Sequence, residues 1–144
     1  MNDIVITGIG CITPIGTGVE DLWAGLRSRR SAVRTITRFD PEPFRSTMAG
    51  EVRDFDAADH LDRRATRRLD RFSQLGVVAA KMALADAGLN PAAEDRDRMG
   101  VMMGSALGGI AFAEQQAAAL VDVFALLDPD ANPTHENVVA YQHR

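Results

Sequence analysis

The chain has 144 residues, 46% hydrophobic and 25% charged, a balance typical of one soluble globular domain. The net charge of −4 gives no electrostatic basis for a nucleic-acid partner, and a single cysteine excludes a disulfide framework or a paired-cysteine metal motif. No apolar run approaches the length of a membrane span, and no signal-peptide pattern opens the chain. We therefore predict a cytoplasmic protein without a membrane partner.

The first predicted elements are a strand and a helix. The run Ile4–Thr7 is short, β-branched and apolar and ends at a glycine turn, which favours a buried strand. The tetrapeptide Thr17–Glu20 matches a capping box, in which two side chains satisfy the free amides of a helix start. A helix with one apolar face is predicted from Val19 to Arg29.

The middle of the chain begins with a loop and ends with a long predicted helix. Two prolines interrupt residues 31–62, where short extended pieces are expected near Met48–Phe55. One helix is predicted from Asp62 to Ala87, and Gly88 with the following proline ends it. Its apolar stripe is predicted to comprise Leu69, Phe72, Leu75, Ala79 and Ala83.

The last predicted elements are a second strand and a helix. The strand lies in "RMGVMMGS", a glycine turn follows at Gly104–Gly109, and the helix spans Ile110–Leu127. The remaining residues, 128–144, are predicted to be loop or frayed tail. The order of elements favours an α/β layered fold with crossover connections, but two strands leave sheet edges and helix faces uncovered. We therefore expect the chain to be part of a larger fold.

Two patterns near the N-terminus have candidate chemistry. Gly8 and Gly10 supply two glycines of a dinucleotide-binding turn, but Thr13 occupies the third place, so nucleotide binding is disfavoured. A nucleophilic Cys11 would need a basic partner, and the three histidines lie in segments that resemble loops or tail. We predict that Cys11 is a small buried packing residue.

Two further patterns leave alternatives open. The turn "GSALGG" suits a structural turn, an anion site or a close approach to a ligand, and the lack of a following lysine excludes a Walker-type loop. Five arginines share one predicted helix face: Arg63, Arg64, Arg67, Arg68 and Arg71. That face is either solvated and neutralised by Asp59, Asp62 and Asp70, or a docking surface for an acidic partner.

Three motifs in order, "VITGIGCITPIG", "DRRATRRLDRFSQLGVVAAKMALADAGL" and "RMGVMMGSALGG", carry a family resemblance. Between Asp3 and Gln115 the chain resembles the N-terminal part of the β-ketoacyl-acyl carrier protein synthases of fatty-acid and type II polyketide synthesis. The resemblance implies a thiolase-like αβαβα fold, of which this chain is an incomplete N-terminal half, and a homodimer in the intact family. It also implies a decarboxylative Claisen condensation on an active-site cysteine assisted by two histidines.

The resemblance assigns roles to a few residues. Arg64, Arg67 and Arg68 match the surface on which the family docks acyl carrier protein, and Leu107 matches a bulky aliphatic residue beside the acyl pocket. Ala106 stands where the family usually has glycine, so its methyl group restricts the turn if the backbone there requires a positive φ. No cofactor is implied, since the substrate carries its phosphopantetheine on the acyl carrier protein.

The family's catalytic motifs do not occur in these 144 residues. The cysteine in an alanine-cysteine-small residue context and both histidine motifs are missing, so no catalytic or metal-binding residue is assigned. We expect a fragment, inactive alone, with a partial N-terminal domain over residues 1–119 and a divergent tail over 120–144. The alternative is a non-catalytic module that binds carrier protein.

Overall fold

The computed structural model describes residues 3–127, which contain four α-helices, a two-stranded sheet and two single turns of 3-10 helix. The elements are α1 Val19–Ser28, β1 Val33–Thr35, β2 Met48–Gly50, the turn Ala57–Asp59, α2 Arg63–Arg68, α3 Arg71–Asp86, the turn Arg96–Arg98 and α4 Ile110–Leu127. The chain divides into two compact units between Met103 and Gly104. The first unit holds every element except α4.

Helix α1 lies where the sequence predicts it, but the predicted capping box does not form. The N-cap is Gly18, whose φ of 83° suits glycine, and no side chain caps the helix. The Gly18 carbonyl accepts the first helical hydrogen bond from the Leu22 amide, 3.1 Å away. The Trp23 side chain remains 55% exposed, with the Arg27 guanidinium 5.2 Å from its ring centre.

The sheet is a pair of three-residue antiparallel strands whose pairing the sequence did not predict. Val33 pairs with Gly50 and Thr35 with Met48, and the ladder continues with a 2.9 Å hydrogen bond from the Ile36 amide to the Thr47 carbonyl. Strands this short show little alternation of apolar and polar residues, so pattern reasoning found only β2, as an extended piece.

The prediction of one continuous helix over residues 62–87 was wrong, because the structure has two helices there, α2 and α3. Leu69 and Asp70 have extended backbone angles, and the Asp70 carboxylate accepts the Arg71 amide as the N-cap of α3. Asp62 caps α2 in the same way. Aspartate is a strong N-cap residue because its carboxylate satisfies free amides, so two such caps favour two helix starts over one.

The predicted end of the long helix is confirmed. Gly88 has a φ of 62°, its amide donates to the Ala85 carbonyl, and the Leu89 amide donates to the Leu84 carbonyl, each at 3.0 Å. This pair of bonds is the Schellman arrangement, in which a left-handed residue satisfies the last free carbonyls of a helix. The sequence signal was the glycine followed by proline.

The two predicted strands are not strands in this structure. Among residues 3–127, neither Ile4–Thr7 nor the segment around Met102 is paired with another segment. Ile4 is fully exposed, and Met102 is 99% exposed. A strand is defined by hydrogen bonds to a neighbour, so an apolar, β-branched run remains irregular where no partner lies beside it.

The core of the first unit is small and surrounds α3. Four side chains are buried, namely Phe55, Ala57, Leu61 and Val78, and partly buried apolar groups such as Leu75 and Met82 pack against them. Val78, at 1% exposure the most buried residue, was missing from the predicted stripe, while the predicted member Phe72 is 45% exposed. Because the helix breaks at Asp70, the residues of α3 that face the core differ from those predicted for one continuous helix.

In the second unit, α4 spans Ile110–Leu127 as predicted from the sequence. No helix within residues 3–127 has the length and apolar character required to cross a membrane. The prediction of loop or frayed tail for residues 128–144 lies outside the described residues.

Candidate docking surface

Four arginines of α2 line one shallow surface depression of about 420 Å³: Arg63, Arg64, Arg67 and Arg68. All four side chains are exposed. The helix places them at positions i, i+1, i+4 and i+5, so two like-charged pairs, Arg63 with Arg67 and Arg64 with Arg68, are spaced four residues apart. Each such pair opposes helix formation by about 0.2–0.5 kcal/mol, a cost that an anionic partner would remove.

Two of the three nearby aspartates, Asp62 and Asp70, bind backbone amides rather than the arginine side chains. Asp62 Oδ1 accepts hydrogen bonds from the Arg64 and Ala65 amides, each at 2.8 Å, and Asp70 caps α3. Within residues 3–127, one ion pair lies within 4.0 Å, and it joins Arg53 to Glu51. The arrangement therefore departs from a face neutralised by Asp59, Asp62 and Asp70, and the depression keeps its positive charge.

Arg71 does not belong to this surface, although the sequence placed it on the same basic face. The helix break directs its half-buried guanidinium toward the core, where Nη1 donates to the Phe55 carbonyl at 3.0 Å and Nη2 to the Val52 carbonyl at 3.1 Å. The same group lies 5.0 Å from the centre of the Phe55 ring. Burial lowers the pKa of Arg71, and its role is structural.

A second polar cluster, which sequence reasoning missed, joins the ends of β1 and β2. The Glu51 carboxylate accepts the Thr37 amide at 3.0 Å and hydroxyl at 2.9 Å, the Arg38 amide at 3.2 Å, and the Arg53 guanidinium at 2.9 Å. These donors, led by the Thr37 amide, lower the pKa of Glu51 to about 2. The cluster borders a polar cleft of about 390 Å³ and fixes the hairpin.

The glycine turn before α4 contains Leu107, the predicted acyl-pocket residue. Its side chain is 74% exposed and lines neither the arginine-lined depression of α2 nor the polar cleft beside Glu51. Gly109, directly before α4, has a φ of 85°. The only non-glycine residue with a positive φ in residues 3–127 is Arg29, so the methyl group of Ala106 meets no such restriction here.

The first glycine turn packs against α3. A Cβ atom at Gly10 would lie against the Ala79 carbonyl oxygen and 2.5 Å from the Ala83 nitrogen, and Gly8 is equally close to the end of the helix. The Asp86 carboxylate accepts the intervening Ile9 amide at 2.8 Å. Gly8 and Gly10 therefore allow the backbone to contact the helix directly. A phosphate-binding turn would require the same two glycines, but here packing against α3 accounts for them.

The next residue, Cys11, is half-buried rather than buried as predicted, because its segment lies on α3 with one side open. Its neighbours in this segment are held through backbone hydrogen bonds, including one of 2.8 Å from the Gly18 amide to the Cys11 carbonyl. Among the histidines, the described His60 stacks on Phe55 with ring centres 5.6 Å apart. Neither observation gives Cys11 a basic partner.

The described residues thus define a mixed α/β chain whose most distinctive surface is a short arginine-rich helix suited to an acidic macromolecule. Residues 1–141 match the family model of the β-ketoacyl synthase N-terminal domain. The chain belongs to the β-ketoacyl synthase family, as the resemblance predicted.

Individual relatives agree with this assignment. The chain is 41% identical over 119 residues to 3-oxoacyl-[acyl-carrier-protein] synthase 2 of Synechocystis sp., and 40% identical over the same length to the enzyme of that name in Staphylococcus aureus. It is 41% identical over 117 residues to the tetracenomycin polyketide synthase ketoacyl synthase beta subunit of Streptomyces glaucescens. These matches cover 81–83% of this chain, which spans 29% of the length of each relative.

A solved structure, the ishigamide ketosynthase/chain length factor, is similar in both sequence and fold. The two chains are 47% identical and superpose with a TM-score of 0.52, covering 60% of this chain and 21% of that one. The mixed helix and strand content of this chain therefore corresponds to part of a ketosynthase structure.

Proposed function

We propose that this chain docks acyl carrier protein through the α2 surface, as the N-terminal part of a ketosynthase-family fold. The observation that carries the proposal is the set of four exposed α2 arginines, whose guanidinium groups have no carboxylate oxygen within 4.0 Å among residues 3–127. The names of two relatives state that they act with an acyl carrier protein. Carrier proteins are acidic, so their charge is complementary to this surface.

The strength of docking follows from the exposure of the arginines. A solvent-exposed ion pair contributes about 0.2–1 kcal/mol, so α2 supports weak, salt-sensitive binding rather than a permanent complex. Weak binding suits a partner that must leave after each delivery. The repulsion within the two like-charged pairs of α2 is reduced most when an anionic surface contacts all four arginines at once.

The test is a titration of purified acyl carrier protein against the chain at low and high salt. The triple variant Arg64→Glu, Arg67→Glu, Arg68→Glu should weaken binding at least about tenfold, since three pairs are lost and replaced by repulsion. Three other exposed arginines, Arg30, Arg45 and Arg96, provide the matched control, because their triple change to glutamate alters net charge equally. Equal weakening by both triple variants would refute docking at α2.

The chemistry of the family is a separate proposal. We infer that these 144 residues do not catalyse the decarboxylative condensation of an acyl thioester with malonyl-carrier protein by themselves. Their single cysteine follows the first glycine turn, half-buried beside α3, and the histidine motifs of the family are not in the sequence. Formation of β-ketoacyl product by the purified chain, supplied with acyl- and malonyl-carrier protein, would overturn this inference.

The alternative function, a non-catalytic module that binds carrier protein, predicts the same docking and the same lack of condensation. The two functions differ in whether further strands must complete the fold around this chain. We propose that the exposed apolar segments Ile4–Ile6 and 101–103 pair with further strands of a thiolase-like layer, which would also bring Leu107 beside an acyl chain and support a homodimer. A stable, monodisperse monomer that still docks carrier protein would favour the module instead.

A further inference from the structure

We propose that Gln74 is a positioning residue for the α2 surface, which it holds in place through two hydrogen bonds to the backbone of the α2 end. The proposal rests on the docking function above and deepens it, because it names what fixes the geometry of the docking arginines. Gln74 itself lies in α3, outside the depression, and is half-buried.

The contacts of Gln74 are specific. Its side-chain Nε2 donates to the Thr66 carbonyl at 2.9 Å and to the Leu69 carbonyl at 3.0 Å. Both partners are carbonyl oxygens, which only accept, so the amide nitrogen and not the amide oxygen must face α2. One side chain therefore bridges the last turn of α2 and the residue that links α2 to α3.

The helix break creates the need for this bridge. In a continuous helix the Thr66 carbonyl would accept the amide of residue 70, but α2 ends at Arg68 and the backbone of Leu69 is extended. A buried or half-buried carbonyl without a donor is costly, and Gln74 supplies the donor from the first turns of the next helix.

Helix α2 depends on such external support. It has six residues, and an isolated helix of that length is unstable in water. Its first turn is held by the Asp62 cap, and Ala65 and Leu69 pack on the core. Gln74 adds the polar link at the opposite end, where Arg67 and Arg68 lie. Fixing that end before binding reduces the ordering cost that docking would otherwise carry.

The first experiment measures amide hydrogen exchange in the free chain and does not depend on a partner. Gln74→Met keeps the length of the side chain but removes both donors. We expect exchange of the α2 amides to rise about fivefold for each hydrogen bond lost, while the amides in the second half of α3 change little. The control Met82→Ala removes core packing and should accelerate both helices together. Equal acceleration of α2 and α3 in Gln74→Met, or none, would overturn the proposal.

The second experiment is a double-mutant cycle with acyl carrier protein as the probe. Gln74→Met should weaken binding several-fold in the wild-type background and have little effect in a chain that carries Arg67→Met and Arg68→Met, because Gln74 acts through these arginines. An equal loss in both backgrounds would refute the positioning role. If the wild-type chain binds no carrier protein, the docking function fails, and the exchange experiment still decides the role of Gln74.

A measurement on the unmodified chain covers the case in which Gln74→Met does not fold. The side-chain amide protons of Gln74 should exchange with water more slowly than those of the exposed Gln115 and Gln116 in α4. Equal exchange rates for the three glutamines would show that the bridge is not held, and the proposal would be rejected.

Discussion

Replacement of Gly10 by alanine tests whether the first glycine turn serves packing. The added Cβ would lie against the Ala79 carbonyl oxygen, 2.5 Å from the Ala83 nitrogen and 2.8 Å from the Met82 Cβ. Carbon atoms in contact are normally about 3.5–4.0 Å apart, so the segment or the helix must move by roughly 1 Å. The neighbours are mostly backbone atoms of α3, which cannot rotate away. We expect Gly10→Ala to lower the free energy of unfolding by about 1–3 kcal/mol.

The assay is urea unfolding followed by far-ultraviolet circular dichroism, with Gly100→Ala as the matched control. Gly100 lies in the same unit and has no positive φ, and a Cβ atom added there would have no neighbour within 4 Å. Alanine at this position should be neutral or stabilising by about 0.4–1 kcal/mol, because it restricts the unfolded chain. If Gly10→Ala unfolds at the same urea concentration as Gly100→Ala, the glycine turn does not pack on α3.

Three further predictions concern single side chains. Because its hydrogen bonds lower the pKa of Glu51 from 4.5 to about 2, the stability that it contributes is complete above pH 4.5 and is lost as pH falls toward 2. Acid-unfolding curves of wild type and Glu51→Gln should therefore differ above that window and converge below it, whereas a constant difference would contradict the assignment. Arg71→Met leaves two carbonyls without donors and should cost about 1–3 kcal/mol in urea unfolding, against almost nothing for the exposed Arg68→Met. A fluorophore on Leu107→Cys, in a chain whose only other thiol is removed by Cys11→Ser, should respond equally to acylated and unacylated carrier protein, because Leu107 is 74% exposed in this chain; a response to the acylated form alone would show that the acyl pocket is already formed.

The features predicted correctly from sequence are those that local chemistry determines. The C-terminal end of α3 follows from Gly88, whose left-handed backbone few other residues adopt, and α4 follows from a long apolar run without breakers. The basic face could also be predicted from local information, since helical spacing alone places Arg64 and Arg68 on the same side of a helix. The break at Asp70 was missed because aspartate also occurs within helices, and its capping role depends on which backbone conformation the surrounding core selects.

The features that the sequence did not predict depend on contacts between separate secondary-structure elements. The hydrogen bond from Gln74 to Thr66, the Arg71 contacts and the fit of Gly10 against Ala83 each join elements that no periodicity relates.

The two proposed sites differ in whether the contacts that they need are present within this chain. The proposed docking surface lies on one short helix with a cap and a side-chain bridge, all within this chain, so its geometry does not depend on further strands. A pocket beside Leu107 needs walls from paired strands, and Ile4–Ile6 and 101–103 are unpaired within residues 3–127. We therefore expect this chain to bind acyl carrier protein without holding the acyl chain. On the same preparation, the carrier-protein titration should show binding, and the fluorophore at position 107 should not distinguish the acylated carrier protein.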